Sequence, residues 1–131
     1  MPNLLLDTDI LIDAGRNIAD ATNFLLRCSQ SYSLAISSIT HMELLVGCMN
    51  KSQLRNTERF VNRFDKIKLS EPITDRALTL LRHYNLSHGL LPADALIAAS
   101  ALTFNIPLAT KNLQDYRFIQ GLHLVAYPLQ P

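Results

Sequence analysis

"NLLLDTDILID" (residues 3–13) sets three leucines ahead of an aspartate, a threonine and a second aspartate, then resumes with isoleucine and leucine. An apolar run this short that stops at an acid reads as a buried strand over 3–6. Asp7 or Thr8 then caps a short helix over 9–14. The acids are the costly part of the stretch, because a buried carboxylate loses its hydration and has to be paired or bound to a cation.

The same grammar recurs along the chain. "SLAIS" (33–37), "KIKL" (66–69), "PLAT" (107–110) and "LHLVAY" (122–127) read as further short strands, and helical patterns lie between them. In 17–30 the residues Ile18, Ala21, Phe24, Leu25 and Cys28 share a face; in 73–86, Ile73, Ala77, Leu80, Leu81 and Tyr84 form a stripe. The segment 94–104 is apolar nearly all round and predicts a helix buried on most sides. Short apolar strands alternating with helices predict a three-layer α/β domain, a five-stranded parallel sheet flanked by α-helices. No repeat, low-complexity tract or linker interrupts the pattern, so one domain is expected over 1–131.

A chain with 48% hydrophobic and 18% charged residues is well cored, which excludes a disordered class. Its longest apolar runs, such as "ALIAASAL" (95–102), fall short of the roughly 20 residues of a membrane span. The start "MPNLLLDTD" lacks a basic leader, so a cytoplasmic protein without a membrane association is expected. Cys28 and Cys48 fit no metal or disulfide spacing and read as ordinary reduced cysteines. His41, His83, His88 and His123 share no ligand spacing and read as surface or packing residues.

In a parallel α/β sheet the ligand site lies beyond the carboxyl ends of the strands. Four of the eleven acids fall there. Asp7 follows the first strand; Glu43, in "SSITHMELL", lies in the first helical turn after the second. Asp94, in "LLPADALIAASA", opens the apolar helix, and Asp115, in "ATKNLQDY", lies just past the fourth strand. Each has a purely structural reading. "THME" (40–43) is a capping box with Thr40 as the cap, Asp94 suits a helix dipole, and Asp115 suits a turn. Gathered together they repel, by roughly 3 kcal/mol for a pair about 5 Å apart at an effective dielectric near 20. A hard divalent cation, Mg²⁺ or Mn²⁺, would compensate, and such a carboxylate-held ion is suited to phosphodiester chemistry.

The blocks "LLLDTDILID", "SSITHMELLVG", "PADALIAASA" and "PLATKNLQDY" together resemble a PIN domain, specifically a VapC-type toxin of a bacterial type II toxin–antitoxin pair. The resemblance spans nearly the whole chain. It implies a Mg²⁺- or Mn²⁺-dependent ribonuclease acting on RNA and inhibiting translation, a homodimer, and a small VapB-type antitoxin partner. Carried over by position, it makes Asp7, Glu43 and Asp94 catalytic, metal-holding acids and Asp115 the more variable fourth, with Asn112 where some relatives carry an acid. It further implies that Thr8 and Thr110 hydrogen-bond the acids, and that Asp9 is a cap or supporting group.

Lys51, Arg55, Arg59 and Arg63 recur every four residues and wind slowly around a helix. One reading is a solvated face with Leu54, Val61 and Phe64 turned inward and Glu58 pairing locally; the other is a contact for RNA or the antitoxin. Two rival functions are compatible with the same residues. An inactive PIN fold would bind RNA or protein without cutting, although such relatives usually lose some of the four acids. The Asp-x-Asp after a strand also opens the aspartyl-phosphate phosphatases of the haloacid dehalogenase type, but here no adjacent acidic pair follows a downstream lysine.

Overall fold

A computed structural model of the chain describes residues 1–128. The predicted three-layer α/β architecture is what it shows. Five strands, β1 (Asn3–Leu6), β2 (Ser33–Ser37), β3 (Asp65–Ile67), β4 (Leu108–Thr110) and β5 (Leu124–Ala126), form one all-parallel sheet in the order β3-β2-β1-β4-β5. Six helices accompany it among the described residues: α1 (Thr8–Gly15), α2 (Ala19–Cys28), α3 (Ser38–Val46), α4 (Lys51–Val61), α5 (Glu71–His88) and α6 (Pro92–Phe104). β3 and β5 are shorter than the apolar runs that announce them.

The three leucines of β1 make the layering. Leu4 and Leu6 face one side, among Ile10 and Leu11 of α1 and Ala21 and Phe24 of α2. Leu5, pointing the other way, packs among Ile73, Ala77 and Leu80 of α5 and Ile97, Ala98 and Ala101 of α6. All three are fully buried, as a strand covered on both faces requires. The apolar helix α6 is buried as expected, with Ala95, Ala98, Ala99 and Ala101 at 0% exposure; its alanines let α5 approach closely. Gly89, with φ +72°, ends α5 in the left-handed conformation that favours glycine.

Three local expectations are corrected. The "THME" capping box does not form, because α3 begins at Ser38 and is capped by Ser37, whose Oγ accepts from the Ile39 N–H at 3.2 Å. Thr40 therefore lies inside the first turn, fully buried. In the basic stretch, α4 is capped by Asn50 and ends at Val61, so Arg63 lies past the helix and its guanidinium sits 5.7 Å from the Phe60 ring centroid. Val61 and Phe64 turn inward, but Leu54 is 40% exposed, and Glu58 pairs with His41 of α3 at 3.1 Å rather than with a neighbouring arginine. Ile18, expected on the buried face of the second helix, precedes it and is 39% exposed. No helix among the described residues is long and apolar enough to cross a membrane.

The strand order has one consequence for function. The chain winds from β1 through β2 to β3 in one direction and places β4 and β5 on the other side of β1. Connections leaving β1 and β4 therefore part in opposite directions, and the crevice at their carboxyl ends is the topological switch point.

Candidate active site

Asp7 stands at the end of β1, and its N–H bonds the Ala109 carbonyl of β4 at 2.9 Å. It is the N-cap of α1 and only 6% exposed. Its carboxylate is held on both oxygens: Oδ1 accepts from the Thr8 N–H at 2.9 Å and the Tyr116 hydroxyl at 3.2 Å, and Oδ2 accepts from the Thr110 hydroxyl at 2.8 Å. Burial, with the charge of Asp9 adding, pushes its pKa up to about 6 against the pull of these three donors.

Asp94 enters from α6, in the first turn behind Pro92. Its Oδ1 accepts from the same Tyr116 hydroxyl at 3.0 Å. Burial raises its pKa to about 6, opposed by that hydrogen bond and reinforced by the charges of Asp7, Asp115 and Glu43. Acids from three other segments of the chain thus bear electrostatically on Asp94 at one end of the sheet.

Glu43 comes from the second turn of α3, where it accepts a 2.7 Å hydrogen bond at Oε1 from Thr8. The Thr8 hydroxyl has a single proton and gives it to Glu43, so the buried Thr40 hydroxyl, 2.9 Å away, donates to Thr8. A relay Thr40 to Thr8 to Glu43 results, and it is the use to which the would-be helix cap is put. Asp115 lies in a 3-10 turn over Leu113–Asp115 and is exposed, at the rim of the group.

Two other sequence candidates sit to one side. Asp9 is in the first turn of α1 and is not its cap. Its Oδ2 accepts from the Asn112 side-chain amide at 2.7 Å, and the Asn112 N–H bonds the Thr110 hydroxyl at 3.1 Å. Asn112 thus ties Asp9 to β4 and makes no hydrogen bond with Asp7 or Asp94. Thr110 is a hinge of the arrangement, accepting from Asn112 while donating to Asp7. Behind them Asp13, 6% exposed, accepts from Lys111 at 3.2 Å and from the Tyr127 hydroxyl at 3.0 Å.

Tyr116, Thr40 and the Asp13–Lys111–Tyr127 group are contacts that no spacing in the sequence announces. Tyr116 is the most consequential, since the residue is 1% exposed and its hydroxyl meets both the buried Asp7 and the half-buried Asp94. Burial, with both carboxylates adding, raises its pKa far beyond the usual tyrosine range, so the phenol stays neutral. One hydroxyl proton serves one ionised carboxylate at a time; the second contact becomes a full hydrogen bond when the other carboxyl is protonated.

Among the described residues the two ion pairs are His41–Glu58 and Lys111–Asp13, so no basic side chain pairs with Asp7, Glu43, Asp94 or Asp115. A concavity of about 670 Å³ lies elsewhere, between α1, α2 and α4; Leu25, Leu26, Phe60, Phe64 and Arg63 are among its lining. None of the four acids lines it.

A family model described as PIN domain matches residues 4–119. The chain is 32% identical over 120 residues to ribonuclease VapC10 of Mycobacterium tuberculosis, spanning 91% of this chain and 90% of that protein. Among solved structures, a toxin–antitoxin complex from Klebsiella pneumoniae contains a chain 31% identical, covering 98% of this chain and 99% of that one with a TM-score of 0.79. VapBC2 from Rickettsia felis, bound to a DNA fragment from its promoter, contains a chain 28% identical at a TM-score of 0.81, covering 95% and 98%.

Proposed function

The chain belongs to the PIN-domain family and is of the VapC type, and from that premise we propose that it is a divalent-metal-dependent ribonuclease, the toxin of a type II toxin–antitoxin pair. The observation that carries the proposal is that Asp7 and Asp94 share the Tyr116 hydroxyl at the switch point, with the charges of Asp7, Glu43 and Asp115 all bearing on Asp94 and, among the described residues, no basic side chain paired to any of the four. Ribonuclease VapC10, at 32% identity, supports the choice of RNA over other phosphodiesters.

The donor set fits Mg²⁺ or Mn²⁺, because it offers carboxylate and hydroxyl oxygens only, the ligands hard cations prefer. A bound ion supplies Lewis-acid chemistry, polarising a phosphodiester and lowering the pKa of water. Asp7 and Asp94 are the acids to hold it, with Glu43 and the rim acid Asp115 beside them. The chain's own part is orientation. Three hydrogen bonds fix the Asp7 carboxylate, the Thr40–Thr8 relay fixes Glu43, and Thr110 couples the end of β4 to Asp7. The exposed rim at Asp115 is open to a long substrate backbone.

A VapB-type antitoxin is the proposed partner, supported by the toxin–antitoxin complexes that share this fold. The exposed cations Lys51, Arg55 and Arg59 are proposed to meet the RNA backbone, and Arg63, at the apolar concavity, to meet the antitoxin. Self-association as a homodimer is proposed through apolar side chains left in solvent, such as Leu86 at 99% and Val46 at 86% exposure.

The deciding experiment incubates the chain with structured RNA and Mg²⁺ or Mn²⁺, beside Asp7→Asn and Asp94→Asn. Scission that needs the ion and disappears in both variants is expected. Scission that survives either substitution, or none with any RNA tried, overturns the nuclease reading and leaves an RNA- or protein-binding module.

A further inference from the structure

Tyr116 brings a phenol into a carboxylate cluster, and its position is set by packing. The residue follows the 3-10 turn that carries Asp115, and its buried ring packs with the core formed by α5 and α6. Its hydroxyl is thereby fixed between Oδ1 of Asp7, at 3.2 Å, and Oδ1 of Asp94, at 3.0 Å. These are the two acids proposed to hold the cation, and the role of Tyr116 rests on that assignment.

The hydrogen bonds around the two carboxylates show what an ion would meet. On Asp7, Oδ1 already receives the Thr8 N–H and the phenol, and Oδ2 receives the Thr110 hydroxyl. The Thr8 N–H is a backbone donor in the first turn of α1, and Thr110 ends β4 with its hydroxyl also held by the Asn112 N–H. Asp94 Oδ1 shares that same phenol proton, which serves one of the two ionised carboxylates at a time. As these side chains stand, no three acid, histidine or cysteine groups among the described residues are gathered closely enough to hold one ion together. The phenol is the group interposed between the buried Asp7 and the half-buried Asp94.

We propose that Tyr116 is a positioning residue that competes with the divalent cation: its hydroxyl bridges Asp7 and Asp94, and an ion held by both has to displace it. The phenol keeps two repelling carboxylates in register and sets a threshold for loading, since its hydrogen bonds are given up when the ion arrives. Phenylalanine at this position would leave the ring's packing in place and remove only the competitor.

The test uses Mn²⁺ on the whole chain. Because the sequence has four tyrosines and no tryptophan, near-ultraviolet absorption at wavelengths longer than the phenylalanine bands reports on tyrosine. Mn²⁺ titration of the wild type should change the tyrosine spectrum as a phenol leaves a carboxylate, and the change should be missing in Tyr116→Phe. In calorimetry, Tyr116→Phe should bind Mn²⁺ roughly tenfold or more tightly, the weight of a hydrogen bond to a charged group. Asp7→Asn should lose Mn²⁺ binding. Binding that depends on Asp7 but is equal or weaker in Tyr116→Phe, or a wild type with no tyrosine change, overturns the competition while the metal site stands. Binding that persists in Asp7→Asn, or no binding by any form, overturns both.

Discussion

Asp7→Asn should abolish cleavage and at the same time make the ion-free protein more stable. In the fold the Asp7 pKa is pushed from 3.8 to about 6, burial being the main cause. A carboxyl whose pKa is raised by folding favours the folded state while it is protonated, fully below its unfolded value, and loses that advantage as pH rises through the folded value. The shift of roughly 2 units corresponds to about 3 kcal/mol at pH 8 relative to a neutral group, about half of it developing between pH 5 and pH 8. Asparagine carries no charge to bury and can still accept from the Thr8 N–H, although it presents an amide where Thr110 now donates. Setting about 1 kcal/mol against that mismatch leaves a gain of about 2 kcal/mol at pH 8 and well under 1 kcal/mol at pH 5. For a chain of this length that is about 6–8 °C in Tm at pH 8. Asp94 should add to the effect, since the charge of Asp7 is one of the causes raising its own pKa. Thermal melts in chelator at the two pH values measure it. A variant no more stable than wild type at pH 8, with the same pH slope, would refute the claim that the Asp7 charge is buried at a cost.

Mn²⁺ added at about a hundredfold excess over its Kd should stabilise the wild type by about 2.7 kcal/mol, and chelation should reverse this; a melt of Asp7→Asn that still rises with Mn²⁺ would contradict the ligand assignment. Thr8→Ala strands the buried Thr40 hydroxyl and frees Glu43, so it should lose about 1–2 kcal/mol in urea unfolding and slow cleavage, whereas Thr8→Ser should retain both. Joint reversal of Arg55 and Arg59 to glutamate should weaken RNA binding and lower the slope of log affinity against log salt by about 1.4, if each meets one phosphate of a single strand. An unchanged slope in a filter-binding series would remove α4 from the RNA surface.

The layers of this protein are legible in its sequence because burial writes itself into composition. A strand covered on both faces has to be apolar throughout, so "NLLL" and "SLAIS" announce β1 and β2. A helix sandwiched between sheet and helix has to be small and apolar, so 94–104 announces most of α6. The four acids are legible for a related reason, since each interrupts or borders an apolar run, where a charge costs most. Periodicity is a weaker guide at ends and edges. It places Leu54 and Ile18 inward, where α4 and α2 leave them partly in solvent, because a helix stripe says nothing about where the helix begins or what covers it.

The sequence by itself determined which residues are apolar, in what order strands and helices follow, and that acids stand at strand ends. Only the tertiary structure decided the partners. "THME" satisfies every local rule for a cap, yet Ser37 takes that role and Thr40 is spent on Thr8, 32 residues away. Asn112, positioned beside the fourth acid in the chain, reaches Asp9 instead, and Tyr116 spans from Asp7 to Asp94 across 109 and 22 residues of separation. The reason is physical. A hydrogen bond depends on where two atoms lie to within a few tenths of an ångström, and for residues distant in the chain that is fixed by how sheet and helices pack.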